Sequence, residues 1–426
     1  MSTPQPQLRR ELTKWDLTAI GVNQVIGGAV FAVPSAIAAS LAGWSWIAVA
    51  VVGLLSMAVA LNFAEAGSRM DATGGPYLYT RAAFGRFAGF EIGWLGWLIR
   101  VTSWASVVNV LVSALGYYWP SVTLGWLRAL LISIVVLAIL ALNIRGIRQS
   151  SFALNLLTIG KLTPLALFIL IGLPHVSGAA LHLDGFPAWS SISTASLLLI
   201  FTFGGYEIIP VPAGEARDPQ RAVPFAMITA IAIVATVITL AQLVALGTMP
   251  TLASPTTTTP LADAAAIFMG PAGAALMTIG AMISVAGNNV GAALSGSRML
   301  FALAEQGDIP RFFGHVHPRY RTPDVAIVIT CVTTLVLALT GSFGQLAAIS
   351  AVARLLVYAG TCASVLTMRR RLGPAPFTIP GGATIPVIAL VVCGLILLGV
   401  TPDQLMRGSA ALAVGAILFL IARTNK

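Results

Sequence analysis

The chain has 426 residues, of which 57% are hydrophobic and only 9% charged, against about 25% charged in a soluble domain. Repeated apolar runs of bilayer-crossing length identify a polytopic helical membrane protein and leave no stretch for a soluble catalytic domain. The formal net charge of +10 invites a nucleic-acid reading, which the placement of the charges then removes.

Twelve spans are predicted, near residues 16–41, 44–66, 88–118, 122–142, 150–173, 190–212, 222–248, 271–303, 323–341, 344–367, 384–400 and 404–422. The first apolar run is too long for a signal-peptide core and lacks a small-residue cleavage site after it. With the N-terminus placed in the cytoplasm, 19 of the 24 Lys and Arg residues fall on cytoplasmic segments or helix ends. Arg128 and Arg407 lie toward the outside, and Arg100, Lys161 and Arg354 lie within spans. This bias predicts a multi-pass inner (plasma) membrane protein with both termini cytoplasmic. The basic charge is topological and calls for no nucleic acid. Cys331, Cys362 and Cys393 each fall inside a span, so no disulfide framework, metal site or other cofactor is indicated.

The first span contains Gly21-Val-Asn-Gln-Val-Ile-Gly-Gly-Ala-Val-Phe-Ala-Val-Pro34. Two adjacent glycines at its centre, Asn23 and Gln24 before them and Pro34 beyond, predict a broken helix. Each glycine costs roughly 1 kcal/mol against alanine in a helix interior. At membrane depth a break is tolerated only where protein or a water-filled cavity satisfies the freed backbone groups, so it points to a small-molecule site. Residues 67–87 carry a Gly74-Gly75-Pro76 turn into a short amphipathic segment on the inner face. Residues 249–270, with Thr256 to Thr259 between two prolines, read as the longest outer connection, either a cover for an external mouth or a plain connector.

Span six supplies a second break in Phe201-Thr-Phe-Gly-Gly-Tyr-Glu-Ile-Ile-Pro210-Val-Pro212. Spans one and six are five apart and run in opposite directions, as a five-plus-five inverted repeat requires. Residues 1–15 then form a cytoplasmic tail and 16–380 a transporter core, with repeats near 16–173 and 190–367. Residues 381–426 hold two accessory helices, a natural homodimer contact, and a short tail. The fold class is all-α.

The two breaks suit a zwitterion. Free N–H groups from Gly28 onward, at the start of the second half-helix, favour a carboxylate. Carbonyls of Val25, Ile26 and Gly27, with those of Phe201 to Gly204, favour an ammonium. The competing reading is that these glycines only let helices pack closely. Lys161 sits about 16 Å from the inner end of its span at 1.5 Å per residue. That depth is too great for easy snorkelling and costs at least about 2.5–3.5 kcal/mol on insertion scales. Desolvation favours the neutral amine, so the lysine either handles a proton or stands as a structural cation. Arg100 is also near midplane depth and remains protonated. It either meets an acidic group of the substrate or pairs with Glu207, or with Glu91 nearer the inner end, the pairing being the favoured reading. Glu207 is an amine ligand, a proton site or the partner of Arg100. Arg354 lines the inner pathway or, as favoured, snorkels. Phe201, Phe203 and Tyr206 either cap a pocket or pack. His315 and His317 read as solvated. No Ser-His-Asp, Cys-His or paired-carboxylate arrangement argues for an enzyme.

Four motifs in the right order give the chain a resemblance to the amino acid–polyamine–organocation (APC) superfamily of permeases. They are Ile26-Gly27-Gly28-Ala29-Val30-Phe31 with Pro34; Glu65 with Gly74-Gly75-Pro76-Tyr77; Ala213-Gly214-Glu215 through Asp218, Pro219, Arg221 and Pro224; and Ser297-Arg298 through Phe301, Ala304, Gly307, Ile309-Pro310 and Arg321-Thr322-Pro323. Gly28 and Ala29 stand where Ser-Gly is usual, which keeps the break and removes a hydroxyl. The resemblance implies the inverted-repeat APC fold and a secondary transporter of amino acids or related amines working by alternating access. It also implies that Arg100 and Trp104 line the substrate pocket and that Lys161 occupies the place of a sodium ion. In that place the lysine links span-one carbonyls to Ser284 or Asn288, so that transport is proton-coupled or an exchange and sodium-independent.

Overall fold

Glycines, prolines and one polar cap set ends in a succession of apolar helices. The computed structural model describes residues 8–424 apart from 116–118, 184, 255–256, 258, 341–342 and 399–401. The first helix, α1 (Lys14–Val25), starts at a capping box in which Thr13 and Asp16 exchange side-chain and backbone hydrogen bonds, satisfying amides that a helix start otherwise leaves orphaned. It stops at Val25. After an irregular Ile26 to Gly28 come α2 (Ala29–Ala32) and α3 (Pro34–Leu41), the latter opened by Pro34, whose missing N–H costs nothing at a first helical position.

There follow α4 (Ser45–Ser68), α5 (Pro76–Phe84), α6 (Arg86–Leu115), α7 (Gly125–Arg145), α8 (Ile147–Gly172) and α9 (Trp189–Phe203). The short α5 begins directly after Gly74 and Gly75, at φ 136° and 50°, which a side-chain-bearing residue rarely adopts. Beyond α9 the chain passes through two 3-10 turns, Tyr206–Ile208 and Val211–Glu215, into α10 (Pro219–Thr248), α11 (Pro260–Glu305), α12 (Asp324–Thr340), α13 (Phe343–Leu372), α14 (Thr384–Leu398) and α15 (Pro402–Thr424).

Among the described residues eight helical stretches are long and apolar enough to cross a membrane, with α12 and α14 shorter apolar helices. The described residues contain no strand, only an isolated parallel bridge between Leu12 and Ala216. The protein is therefore an all-helical, multi-pass membrane protein. One expectation is revised: residues 260–269 are helical and join α11 across a kink at Gly270 (φ 66°), so the stretch 249–270 is not a bare connector. Thr256 and Thr258 of that stretch lie outside the described residues.

The core runs along α1, α4, α6, α10, α11 and α13. In contrast, α7, α14 and α15 turn large apolar side chains outward, among them Trp126, Leu137, Leu395, Leu405, Ile417 and Leu420, as lipid-facing helices do. The three cysteines are free and buried.

Candidate substrate site at two helix breaks

The two breaks lie against each other. Gly205 has φ 131°, and a Cβ placed on it would stand 2.8 Å from the carbonyl oxygen of Gln24 and 3.1 Å from the nitrogen of Val25. Only glycine allows both that conformation and that approach. The chain thus crosses itself at the level where α1 and α9 end.

The carbonyls released at the end of α1 are all taken. Lys161, fully buried on α8, extends its Nζ to Asn23 O (2.9 Å), Asn23 Oδ1 (3.1 Å), Ile26 O (2.7 Å) and Ser284 O (3.1 Å). Ser284 donates its own hydroxyl to Ile26 O (2.7 Å), and Gly27 N–H donates to Val25 O (2.8 Å). Asn288 Nδ2 donates to Gln24 O (3.0 Å) while Gln24 Nε2 donates to Asn288 O (2.8 Å). Of the two partners expected for Lys161, Ser284 meets the lysine, through its carbonyl, while Asn288 does not touch it but braces Gln24. Moreover, the carbonyls of Asn23, Gln24, Val25 and Ile26 are not open to an external ammonium, because the protein supplies its own. Such saturation is what a non-aqueous surrounding demands of freed backbone groups.

On the far side of the first break the situation is reversed. Gly28 and Ala29 are partly exposed, and among the described residues no acceptor is paired with their amides. At the second break Gly204 N–H donates to Phe201 O (3.2 Å), and no described side chain donates to the carbonyls of Phe203 or Gly204. Phe203 and Tyr206 are buried, at 1% and 2% exposure. Tyr206 stacks on Tyr358 at 5.1 Å, and Phe63 meets both rings edge-on. Phe201 departs from expectation: its ring is 39% exposed and takes no part in this cluster, because it lies two residues before Phe203 and on a helix that spacing points elsewhere.

Glu207 gathers the charges. Its Oε1 accepts from Arg100 (2.5 Å), and its Oε2 accepts from Tyr358 Oη (2.8 Å) and from Gly205 N–H (2.9 Å). Arg100 also donates to Gln24 Oε1 (3.3 Å), tying α6 to the first break. Arg354 turns inward rather than snorkelling, with Nε 3.3 Å from Glu207 Oε1 and its guanidinium against Gly204. Glu91 is not a partner of Arg100. Its two buried carboxyl oxygens have no hydrogen-bond partner among the described residues. Trp104, one turn beyond Arg100, is completely buried and its indole N–H is likewise unpaired. Sequence reasoning missed Gln24 and Tyr358 as members. The signal for Tyr358 was its place one helical turn after Arg354, on the same face of α13.

The void beside Arg100, Glu207 and Met299 measures only about 10 Å³, about one water. A larger apolar cleft of about 300 Å³ lies between α4, α9, α13 and α14. It reaches Tyr206 and Tyr358 but opens at the surface beside exposed Trp189 and Leu395, away from the charged groups.

The motif residues assemble at the end that carries the N-terminal tail. Arg298 and Glu215, both fully buried, form a two-pronged pair at 2.8 and 3.1 Å. Glu65 holds Arg369 at 2.5 and 2.6 Å. Asp308 accepts from Tyr77 Oη (2.6 Å), Arg86 Nε (2.5 Å) and Arg81. Burial and the Asp308 carboxylate push the Tyr77 phenol well above its usual range, which keeps it a donor. The N-terminal tail closes over them: Leu12 N–H donates to Glu215 O (2.9 Å) and Arg217 N–H to Leu12 O (3.0 Å). Of the pair expected to be solvated, His315 is exposed and also bonds Asp324 at 2.7 Å.

Comparison with known proteins agrees with this architecture. A family model described as "Amino acid permease" matches residues 12–421. The serine/threonine exchanger SteT of Bacillus subtilis is 28% identical over 414 residues, covering 92% of this chain and 91% of the relative. The methylthioribose transporter of the same organism is 24% identical, covering 91% and 87%. Its branched-chain amino acid permease BcaP is 23% identical, covering 98% and 94%. These relatives are transporters rather than enzymes, and the match spans both breaks, the lysine on α8 and the ion pairs beside the N-terminal tail. The chain belongs to the amino acid permease family of the APC superfamily.

Proposed function

We propose that the protein is a sodium-independent secondary transporter of amino acids or related amines, working by alternating access in the plasma membrane. In this reading twelve spans form a five-plus-five inverted repeat with two accessory helices, and both termini are cytoplasmic. The partly exposed amides of Gly28 and Ala29 hold the substrate carboxylate, and the carbonyls of Phe203 and Gly204 hold its ammonium. Tyr206, Phe203 and Trp104 form the apolar wall.

The observation that carries the reading is the four-oxygen seat of Lys161 at the first break. A monovalent cation bound there would have the same three backbone carbonyls and side-chain amide oxygen as neighbours, so in this reading a covalently attached ammonium replaces a coupling ion. Because that ammonium also spans α1, α8 and α11, its protonation is positioned to change how the first break is held. Proton symport and exchange both use such an element; the relative named as an exchanger supports the second.

The test is a thermal-shift panel of amino acids and amines on purified protein at several pH values, with and without sodium, followed by uptake into proteoliposomes. Stabilisation by a subset of amino acids that sodium leaves unchanged is expected. A pH gradient should drive wild-type uptake and fail to drive Lys161→Ala. Full gradient dependence in Lys161→Ala would remove the coupling role. Counterflow with labelled substrate inside separates exchange from symport.

A further inference from the structure

The charges at the breaks do not balance. Arg100 and Arg354 meet there over a single carboxylate, Glu207, and Lys161 adds a further buried cationic group at the first break. Glu91, nine residues before Arg100 on α6, is about 13 Å away along the helix axis at 1.5 Å per residue. It therefore lies outside this group.

Glu207 is already satisfied without Arg354. Arg100, Tyr358 and the Gly205 amide supply three hydrogen bonds to its two oxygens. Arg354 has the ion pair at 3.3 Å but, among the described residues, no hydrogen bond, and its Nε–H is buried without an acceptor. The residue is 7% exposed. A guanidinium carries five N–H donors in a planar fork, and a buried charged donor left unpaired is costly. Intramembrane arginines are retained where they serve a pathway or a ligand. The fork lies against Gly204, the residue whose carbonyl is assigned above to the substrate ammonium.

We propose that Arg354 is a specificity-determining residue that reads an anionic group on the substrate side chain, so that the site prefers acidic amino acids and rejects cationic ones. The inference rests on the amino acid reading above and narrows its substrate class. With the α-ammonium on the carbonyls, a side-chain carboxylate placed on the guanidinium takes two parallel N–H bonds from Arg354 and cancels the excess positive charge. A second ammonium, that of a lysine side chain or a polyamine, placed on the guanidinium instead would face two arginines with no free carboxylate. An amide isostere such as glutamine keeps the shape, loses the charge, and presents an NH2 group to a donor-only fork.

The experiment compares L-glutamate with L-glutamine, L-aspartate with L-asparagine, and L-lysine, by direct binding to the purified full chain at neutral pH. Acidic ligands are expected to bind about tenfold or more tighter than their amides, as a charged hydrogen-bonded pair implies, with no binding of lysine. Arg354→Gln is expected to erase the acid-to-amide ratio. Arg354→Lys, which keeps the charge but loses the fork, should retain part of it. Equal or tighter binding of glutamine in the wild type overturns the proposal even if neither variant folds, as does a wild-type ratio persisting in either variant. Neutral amino acids binding without an acidic preference would defeat this inference alone, whereas binding of no amino acid would defeat the amino acid reading as well.

Discussion

Glu207 is the residue on which three elements depend, since α6, α13 and the turn after α9 each send it a donor. Deleting one member of a buried charge pair exposes the other to an uncompensated interior, at a typical cost of about 3–5 kcal/mol. The asymmetry here has a definite sign. Glu207→Gln leaves two arginines facing each other, whereas Arg100→Gln leaves the carboxylate with Arg354, Tyr358 and the Gly205 amide. Glu207→Gln should therefore lower the melting temperature more than Arg100→Gln. Adding Arg100→Gln to Glu207→Gln should restore part of the loss, because one repelling cation is removed. A double-mutant cycle by thermal unfolding in detergent checks both statements.

At the scale of elements, the two breaks are opposite in chemistry although both come from adjacent glycines. The first is filled: an ammonium, a hydroxyl and an amide close its carbonyls. The second is held by the conformation of Gly205 and by its contact with Gln24. Gly205→Ala should thus be severe, since a left-handed conformation forced on a non-glycine residue costs about 1–3 kcal/mol and its Cβ presses on the other break as well. Transport in proteoliposomes is expected to fall to background while the protein still reaches the membrane. Gly394→Ala is the matched control. That glycine lies in α14 with open space around its Cβ position, so the change should be neutral or stabilising by up to about 1 kcal/mol.

Across the whole molecule, the end that carries the N-terminal tail is closed by ion pairs that join segments far apart in sequence: Glu215 with Arg298, Glu65 with Arg369, Asp308 with Arg81 and Arg86. The N-terminal tail lies over the first of these through Leu12. In the alternating-access reading proposed above, opening at this end separates them, so weakening one should bias the molecule to that state. Arg298→Met, which leaves Glu215 buried and unpaired at about 3–5 kcal/mol, should raise the rate at which a Leu12→Cys reporter is labelled by a water-soluble thiol reagent. The native cysteines are buried, which keeps the background low. Unchanged labelling would mean that the pair supports the fold without gating it.

The amino-acid sequence by itself determined the class, the order of the apolar helices, the two breaks and the burial of Lys161, because each follows from local rules. Apolar length, glycine pairs, proline positions and the spacing of charges are all properties of contiguous residues. It also marked Arg100 as a residue in need of an anion and offered Glu207 and Glu91 as partners, since unpaired charges at membrane depth must find one another; the structure chose Glu207. Only the tertiary structure decided which groups complete the set. Arg354 turning inward, Tyr358 joining Glu207, Asn288 choosing Gln24 over Lys161 and the exposure of Phe201 depend on helix rotation and on which faces meet, and these are fixed by contacts between residues one hundred or more positions apart. The same holds for the carbonyls of the first break. A freed carbonyl looks identical in sequence whether it waits for a substrate or is already bonded, and here the ammonium of Lys161, brought in from α8, had taken it.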